Sequence, residues 1–141
     1  MTAWRIVKRK HAKHAFNGEG ARLFGGRWNS PGVPLIYTAE TQSPAALEML
    51  VHLDAPELLG RYILFKVGIE APLIMDVDTS TSRALGDKWA RTQVSVALRV
   101  PSAVVSSEHN FLINPLHPDF SRLTIAKYSP FRFDSRLLKS R

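Results

Sequence analysis

Arg27, Tyr37 and Glu48 stand within one short stretch of this chain, each on a different kind of local sequence. A guanidinium presents five donors in a planar fork and can hold a pyrophosphate. A phenol ring can stack on a flat heterocycle. A carboxylate can stabilise a cation developing on a sugar ring. A dinucleotide presents all three of those targets. Arg27 follows Gly25-Gly26 and precedes Trp28-Asn29-Ser30-Pro31-Gly32, so it sits in a tight turn between two breakers. Singly, each residue also has an ordinary structural reading: a surface ion pair for Arg27, a strand core position for Tyr37, a solvated helix position for Glu48 and a turn position for Ser102.

The elements that must carry these side chains are short. Trp4 to Val7 reads as a first strand, Lys8 to Phe16 as a helical turn, and Ala21 to Phe24 as a short strand. Val33 to Thr38 reads as a strand with Pro34 near its start. Ser43 can cap a helix, with Pro44 at its first position and Ala45 to Leu53 as its body. Ala46, Leu47, Leu50 and Val51 share one apolar arc of that helix. Glu48 lies just off the arc, where a partly buried carboxylate needs a partner.

Arg61 to Ile69, Leu73 to Val77, Val94 to Val100, Ala103 to Val105 and Asn110 to Ile113 read as further strands. Thr79 to Ser82 reads as a polar connection. Arg83 to Thr92 reads as a helix anchored by Trp89, and Leu123 to Leu138 as one or two strands. Strands do not alternate with long helices, so the pattern predicts a mixed, mostly antiparallel α+β fold rather than a doubly wound sheet.

The 141 residues fit one domain, 1–141, long enough to form a core without staples. The absence of cysteine excludes a thiol nucleophile, disulfides and Cys-based metal sites. No apolar run approaches the ~20 residues of a membrane helix, and no signal peptide is visible, so a cytoplasmic protein without membrane contact is expected. Nineteen Lys+Arg against twelve Asp+Glu give +7 and favour an anionic partner. The charge is scattered apart from Lys8-Arg9-Lys10 and Arg132, Arg136, Lys139 and Arg141, which weakens a nucleic-acid-binding reading. The phosphate-loop, zinc-protease and serine-hydrolase motifs are missing. His109, His117 and Asp119 match no standard metal spacing, so no metal is expected.

The ordered set Arg27-Trp28-Asn29-Ser30-Pro31-Gly32, Ile36-Tyr37-Thr38-Ala39-Glu40 and Ala45-Ala46-Leu47-Glu48 resembles the RES domain. So do Val100-Pro101-Ser102-Ala103-Val104 and the run from Asn110 to Phe120. The resemblance covers nearly the whole chain. It implies a fold similar to ADP-ribosyltransferases and the toxin half of a bacterial toxin–antitoxin pair that consumes NAD. NAD would be the substrate, with no further cofactor. Implied roles are Glu48 against the nicotinamide ribose, Arg27 on the pyrophosphate, Tyr37 on nicotinamide and Ser102 on the ribose or on Glu48. Asn29 and Asn114 would help position NAD. Water or phosphate would accept the ADP-ribose. The alternatives are mono-ADP-ribosylation of a protein and a basic nucleic-acid-binding module. The implied partner is an Xre-like antitoxin that blocks the active site, with DNA reached only through it and a homodimer within the complex.

Overall fold

The computed structural model describes residues 1–78 and 82–138. Its strands are β1 (Thr2–Lys8), β2 (Ile36–Ala39), β3 (Tyr62–Gly68), β4 (Ile74–Asp76), β5 (Ala97–Pro101), β6 (His109–Ile113), β7 (Thr124–Ile125) and β8 (Ser129–Phe131). Its α-helices are α1 (Glu19–Phe24), α2 (Gln42–His52) and α3 (Arg83–Thr92), with 3₁₀ turns between elements. The strands form one mixed sheet in the order β4-β5-β6-β2-β1-β3-β7. β8 lies beside β7 on the same edge of β3. Among the described residues only β4 and β5 run parallel; the other pairs are antiparallel. The architecture is α+β, as the sequence pattern predicts.

Register explains which residues share a face. Tyr37 lies opposite Leu112, and Leu112 opposite Leu98. Ala39 lies opposite both Asn110 and Trp4. Alternation puts Tyr37, Ala39, Asn110, Leu112, Leu98 and Val100 on one side of the sheet. Helix α3 packs there through Trp89, with Leu98, Val100, Leu112 and Trp28. Helix α2 packs further along the same side through Ala45, Ala46, Met49, Leu50 and Leu53, against Ile6, Ala39 and Tyr62. The other side carries Ala3, Ile36, Val67, Phe111 and Ile113 in a separate core.

Several elements differ from the sequence expectation. Ala21 to Phe24 is helical rather than a strand. Asn17 Oδ1 accepts the Glu19 N–H and Glu19 pairs with Arg22 one turn on, so local polar contacts start a helix that a four-residue apolar run does not reveal. Ala103 to Val105 is a bend, because the Ser102 hydroxyl accepts the N–H of both Val104 and Val105. Helix α2 begins at Gln42 after Thr41, so Ser43 is inside it and caps nothing. Its inward arc is also rotated: Leu47 and Val51 are exposed, while Ala45 and Met49 turn inward. β5 starts at Ala97, later than Val94. The connection expected at Thr79 to Ser82 lies outside the described residues, apart from Ser82, whose hydroxyl caps α3 by accepting the Leu85 N–H.

Candidate active site

A cavity of about 570 Å³ opens between α2, the β1–β2 junction and the Gly25–Arg27 turn. Arg27, Tyr37 and Glu48 all line it, with Arg5, Arg83, Met49, His52, Val104 and Trp4 among its other walls. A turn, a strand and a helix therefore bring the three side chains to one space.

The turn that carries Arg27 is fastened at many points. Gly26 and Asn29 bridge each other across it, with the Gly26 N–H on the Asn29 carbonyl at 2.9 Å. The Asn29 side chain is fully buried, and its amide donates to the carbonyls of Ala21, Ser30 and Val33. The Tyr37 hydroxyl donates to Asn29 Oδ1 at 2.6 Å and accepts the Trp28 N–H at 3.1 Å. Arg83, the first residue of α3, donates from Nε to the Gly26 carbonyl at 2.7 Å. Asp87 takes both the N–H and the hydroxyl of Ser30. A Cβ at Gly26 would meet the Tyr37 oxygen at 2.5 Å, so a larger residue there would push on the Tyr37–Asn29 bond. Amid these anchors the Arg27 side chain is exposed and makes no hydrogen bond or ion pair with the described residues. The held backbone leaves the guanidinium free to take an anion.

Burial pushes the Tyr37 phenol up to about 12, so it stays protonated and keeps donating to Asn29. Its ring faces the cavity while its hydroxyl is occupied by the turn. Tyr37→Phe removes one donor and orphans the Trp28 N–H. We expect it to cost about 2 kcal/mol in urea denaturation. An unchanged midpoint would show that these bonds contribute nothing.

Glu48 is half-buried on the cavity face of α2, with Ala45 one turn before it and His52 one turn after. Asn110 Nδ2 donates to Glu48 Oε1 at 2.8 Å, and the Ser102 hydroxyl donates to the same oxygen at 3.3 Å. Both partners are buried. One carboxylate oxygen is thus fixed from the sheet side, and no hydrogen bond from the described residues engages Oε2.

The sequence reading missed three members of this site. Arg5 is one. β1 pairs with β2 only at Trp4↔Ala39, and Arg5 crosses the junction to donate to the carbonyls of Tyr37 at 2.8 Å and Ala15 at 2.7 Å. Burial lowers its guanidinium to about 10, which leaves it charged. Arg83 is the second, and Asn110, read only as a strand residue, is the third. Two expected NAD-positioning residues are placed elsewhere. Asn29 supports the turn from beneath. Asn114 lies away from the cavity walls, with its amide on the Ala90 carbonyl and its Oδ1 on the Leu116 N–H. His109 joins Arg99 and Glu40, while His117 accepts the Asp119 N–H at Nδ1. None of the described helices is long and apolar enough to cross a membrane.

The chain is 36% identical over its whole length to Toxin Res of Photorhabdus laumondii, covering 99% of that protein. It is 34% identical to the Prs ADP-ribosylating toxin of a Sphingobium species, over 96% of each chain. It also aligns at 30% identity with NAD(+) phosphorylase MbcT of Mycobacterium tuberculosis, over 57% of this chain and 52% of that protein. The crystal structure of the M. tuberculosis MbcT–MbcA toxin–antitoxin complex shares the fold, with a TM-score of 0.75 at 19% identity over 97% of this chain and 86% of that one. The RES domain matches residues 2–134, and the chain belongs to that family.

Proposed function

We propose that the protein is the toxin of a bacterial toxin–antitoxin pair and depletes NAD by cleaving the nicotinamide–ribose bond. The observation that carries this reading is the Glu48 carboxylate, pinned at one oxygen and facing a cavity that also receives Arg27 and Tyr37. The names of the Res, ADP-ribosylating and NAD phosphorylase relatives support it.

The bond to be broken joins the ribose C1′ to the pyridinium nitrogen. Its electron pair leaves with nicotinamide and neutralises the ring, so the leaving group needs no acid. Positive charge builds on the ribose, as in glycoside cleavage. Glu48 stabilises that charge through the oxygen that Ser102 and Asn110 leave free, or through a ribose hydroxyl. Arg27 grips the pyrophosphate, and Arg83, tethered to the same turn, adds a second guanidinium beside it. Tyr37 lays its ring against nicotinamide. Ser102 acts through Glu48, as a positioning residue. An oxygen of water or phosphate then forms the new bond at C1′; water gives its extra proton to solvent.

The partner in this reading is an Xre-like antitoxin that covers the cavity, holds DNA on the toxin's behalf and pairs two toxins in the complex. Exposed Leu23, Phe24, Val51 and Val104 lie on or next to the elements that form the cavity rim and offer it an apolar surface. Purified protein should consume NAD, and addition of the antitoxin should stop it. Release of ADP-ribose without phosphate marks hydrolysis, and of its 1-phosphate with phosphate, phosphorolysis. Arg27→Ala should raise KM for NAD at least ten-fold. Stable NAD in every condition would refute the reading.

One observation favours transfer to protein as the second reading. The ADP-ribosylating relative aligns over 96% of this chain, against 57% for the phosphorylase. Labelled NAD decides: label on protein supports transfer, and free ADP-ribose supports depletion.

A further inference from the structure

A second cationic feature lies at the far end of β1, away from the cavity. Lys8 is opposite Tyr62, and Tyr62 is opposite Phe131. Continuing both registers by one residue places Arg61 between Arg9 and Arg132. The Arg9 N–H on the Arg61 carbonyl at 2.9 Å bears out the first half of that extension. Neighbouring strands lie about 4.8 Å apart, so Arg9 and Arg61 stand side by side, and the extended β8 register sets Arg132 on the other flank of Arg61. Arg9, Lys10, Arg61 and Arg132 are all exposed, and none makes a side-chain hydrogen bond or ion pair with the described residues.

A groove of about 600 Å³ opens at the Arg9 and Arg61 end of this row, lined by Lys8, Arg9, Lys10, Glu57, Gly60, Arg61 and Tyr62, with Arg132 outside the lining. Its one acid is already matched, because Glu57 pairs with Lys8 at 2.7 Å. Asp54 nearby is held against Glu57 through backbone N–H bonds. The unmatched charge is therefore positive. Like charges on neighbouring strands repel one another. An anionic partner would relieve that repulsion.

We propose that this groove docks an acidic segment of a protein partner, with carboxylates on the arginine row and an apolar side chain on Leu59. Leu59 is 71% exposed and immediately precedes Gly60 of the lining, so it stands beside the groove and supplies the apolar contact at its edge. Guanidinium forks match carboxylates two bonds at a time. The groove's ring, Tyr62, is buried and cannot stack on a base, so the surface lacks the aromatic platform that single-stranded nucleic acid uses. Leu59 also has no role against a phosphate backbone. The site is separate from the NAD cavity and does not depend on that reading.

The test uses fluorescence anisotropy with a labelled glutamate-rich peptide bearing one central leucine, alongside labelled single-stranded and duplex DNA. The wild-type chain should bind the peptide, more weakly as salt rises. The triple variant Arg9→Ala, Arg61→Ala, Arg132→Ala should weaken binding about ten-fold or more, with the same circular dichroism and the same NAD consumption as wild type. Leu59→Ser should weaken peptide binding while leaving any DNA binding unchanged. Equal peptide affinity in the triple variant overturns the proposal. So does tighter binding of DNA than of peptide at matched salt, which would make the groove a nucleic-acid surface.

Discussion

Glu48→Gln should lower the rate of NAD loss by about a hundred-fold or more while the protein keeps its fold and its thermal midpoint. The expectation follows from charge. Glutamine preserves the size of the side chain, and its amide oxygen can still receive Asn110 Nδ2 and the Ser102 hydroxyl, which both engage Oε1 in the wild type. What disappears is the negative charge facing the ribose, and removing one well-aimed electrostatic group from such a site costs about two to three orders of magnitude. The loss should fall on kcat, because the cation exists only in the transition state. NAD affinity should be little changed, since Arg27 and Arg83 are untouched. A variant that consumes NAD at the wild-type rate would remove Glu48 from the chemistry.

Gly86→Ala should be the most destabilising small substitution in the scaffold. A Cβ at Gly86 would lie 1.8 Å from the Trp28 carbonyl oxygen and 2.8 Å from its carbon. Both are backbone atoms of the Arg27 turn, which cannot yield as a flexible side chain would. Helix α3 must then retreat from the turn, and with it the Arg83 bond to the Gly26 carbonyl and the Asp87 bonds to Ser30. We expect a loss of about 3 kcal/mol or more in urea denaturation, with a matching fall in NAD turnover. Gly20→Ala is the contrast. Gly20 lies in α1, where an added Cβ meets nothing within 4 Å. Stability should rise there by about 0.5 kcal/mol, as alanine favours helix. If Gly86→Ala matches wild type in stability, the close approach of α3 to the turn is not what holds Arg27.

These two sites differ in how far the sequence discloses them. Arg27, Tyr37 and Glu48 are close in the chain and stand in an ordered pattern of neighbouring residues, so their grouping around one cavity is legible. Gly86 is not, because its constraint is a contact with residue 28 made only by tertiary packing. Arg83 is hidden for the same reason: it meets Gly26 across 57 positions of chain. Arg5 looks like an ordinary outward residue of a strand, and only the brief pairing of β1 with β2 gives it a carbonyl to bind. Asn110 sits in a strand whose next three residues, Phe111, Leu112 and Ile113, are apolar, and that is a usable signal. A polar side chain buried in such a run must be satisfied, and part of its amide is satisfied by Glu48.

Two segments differ from expectation because local polar bonds decide them. In Glu19–Phe24 and around Ser102, side-chain oxygens capture nearby N–H groups and override propensity. Asn114 is a different case. Its position in a family-like block suggested a ligand contact, yet its side chain is consumed by the Ala90 carbonyl and the Leu116 N–H. Long strands were legible because they carry sustained apolar runs: Arg61 to Ile69 was expected, and Tyr62–Gly68 forms.

The most direct test of the central claim is a crystal structure of the Glu48→Gln protein with NAD. The account predicts the nicotinamide ribose against residue 48, the pyrophosphate within hydrogen-bond distance of the Arg27 guanidinium and the nicotinamide ring on Tyr37. NAD seated elsewhere, or in this cavity with its pyrophosphate turned away from Arg27, would contradict it.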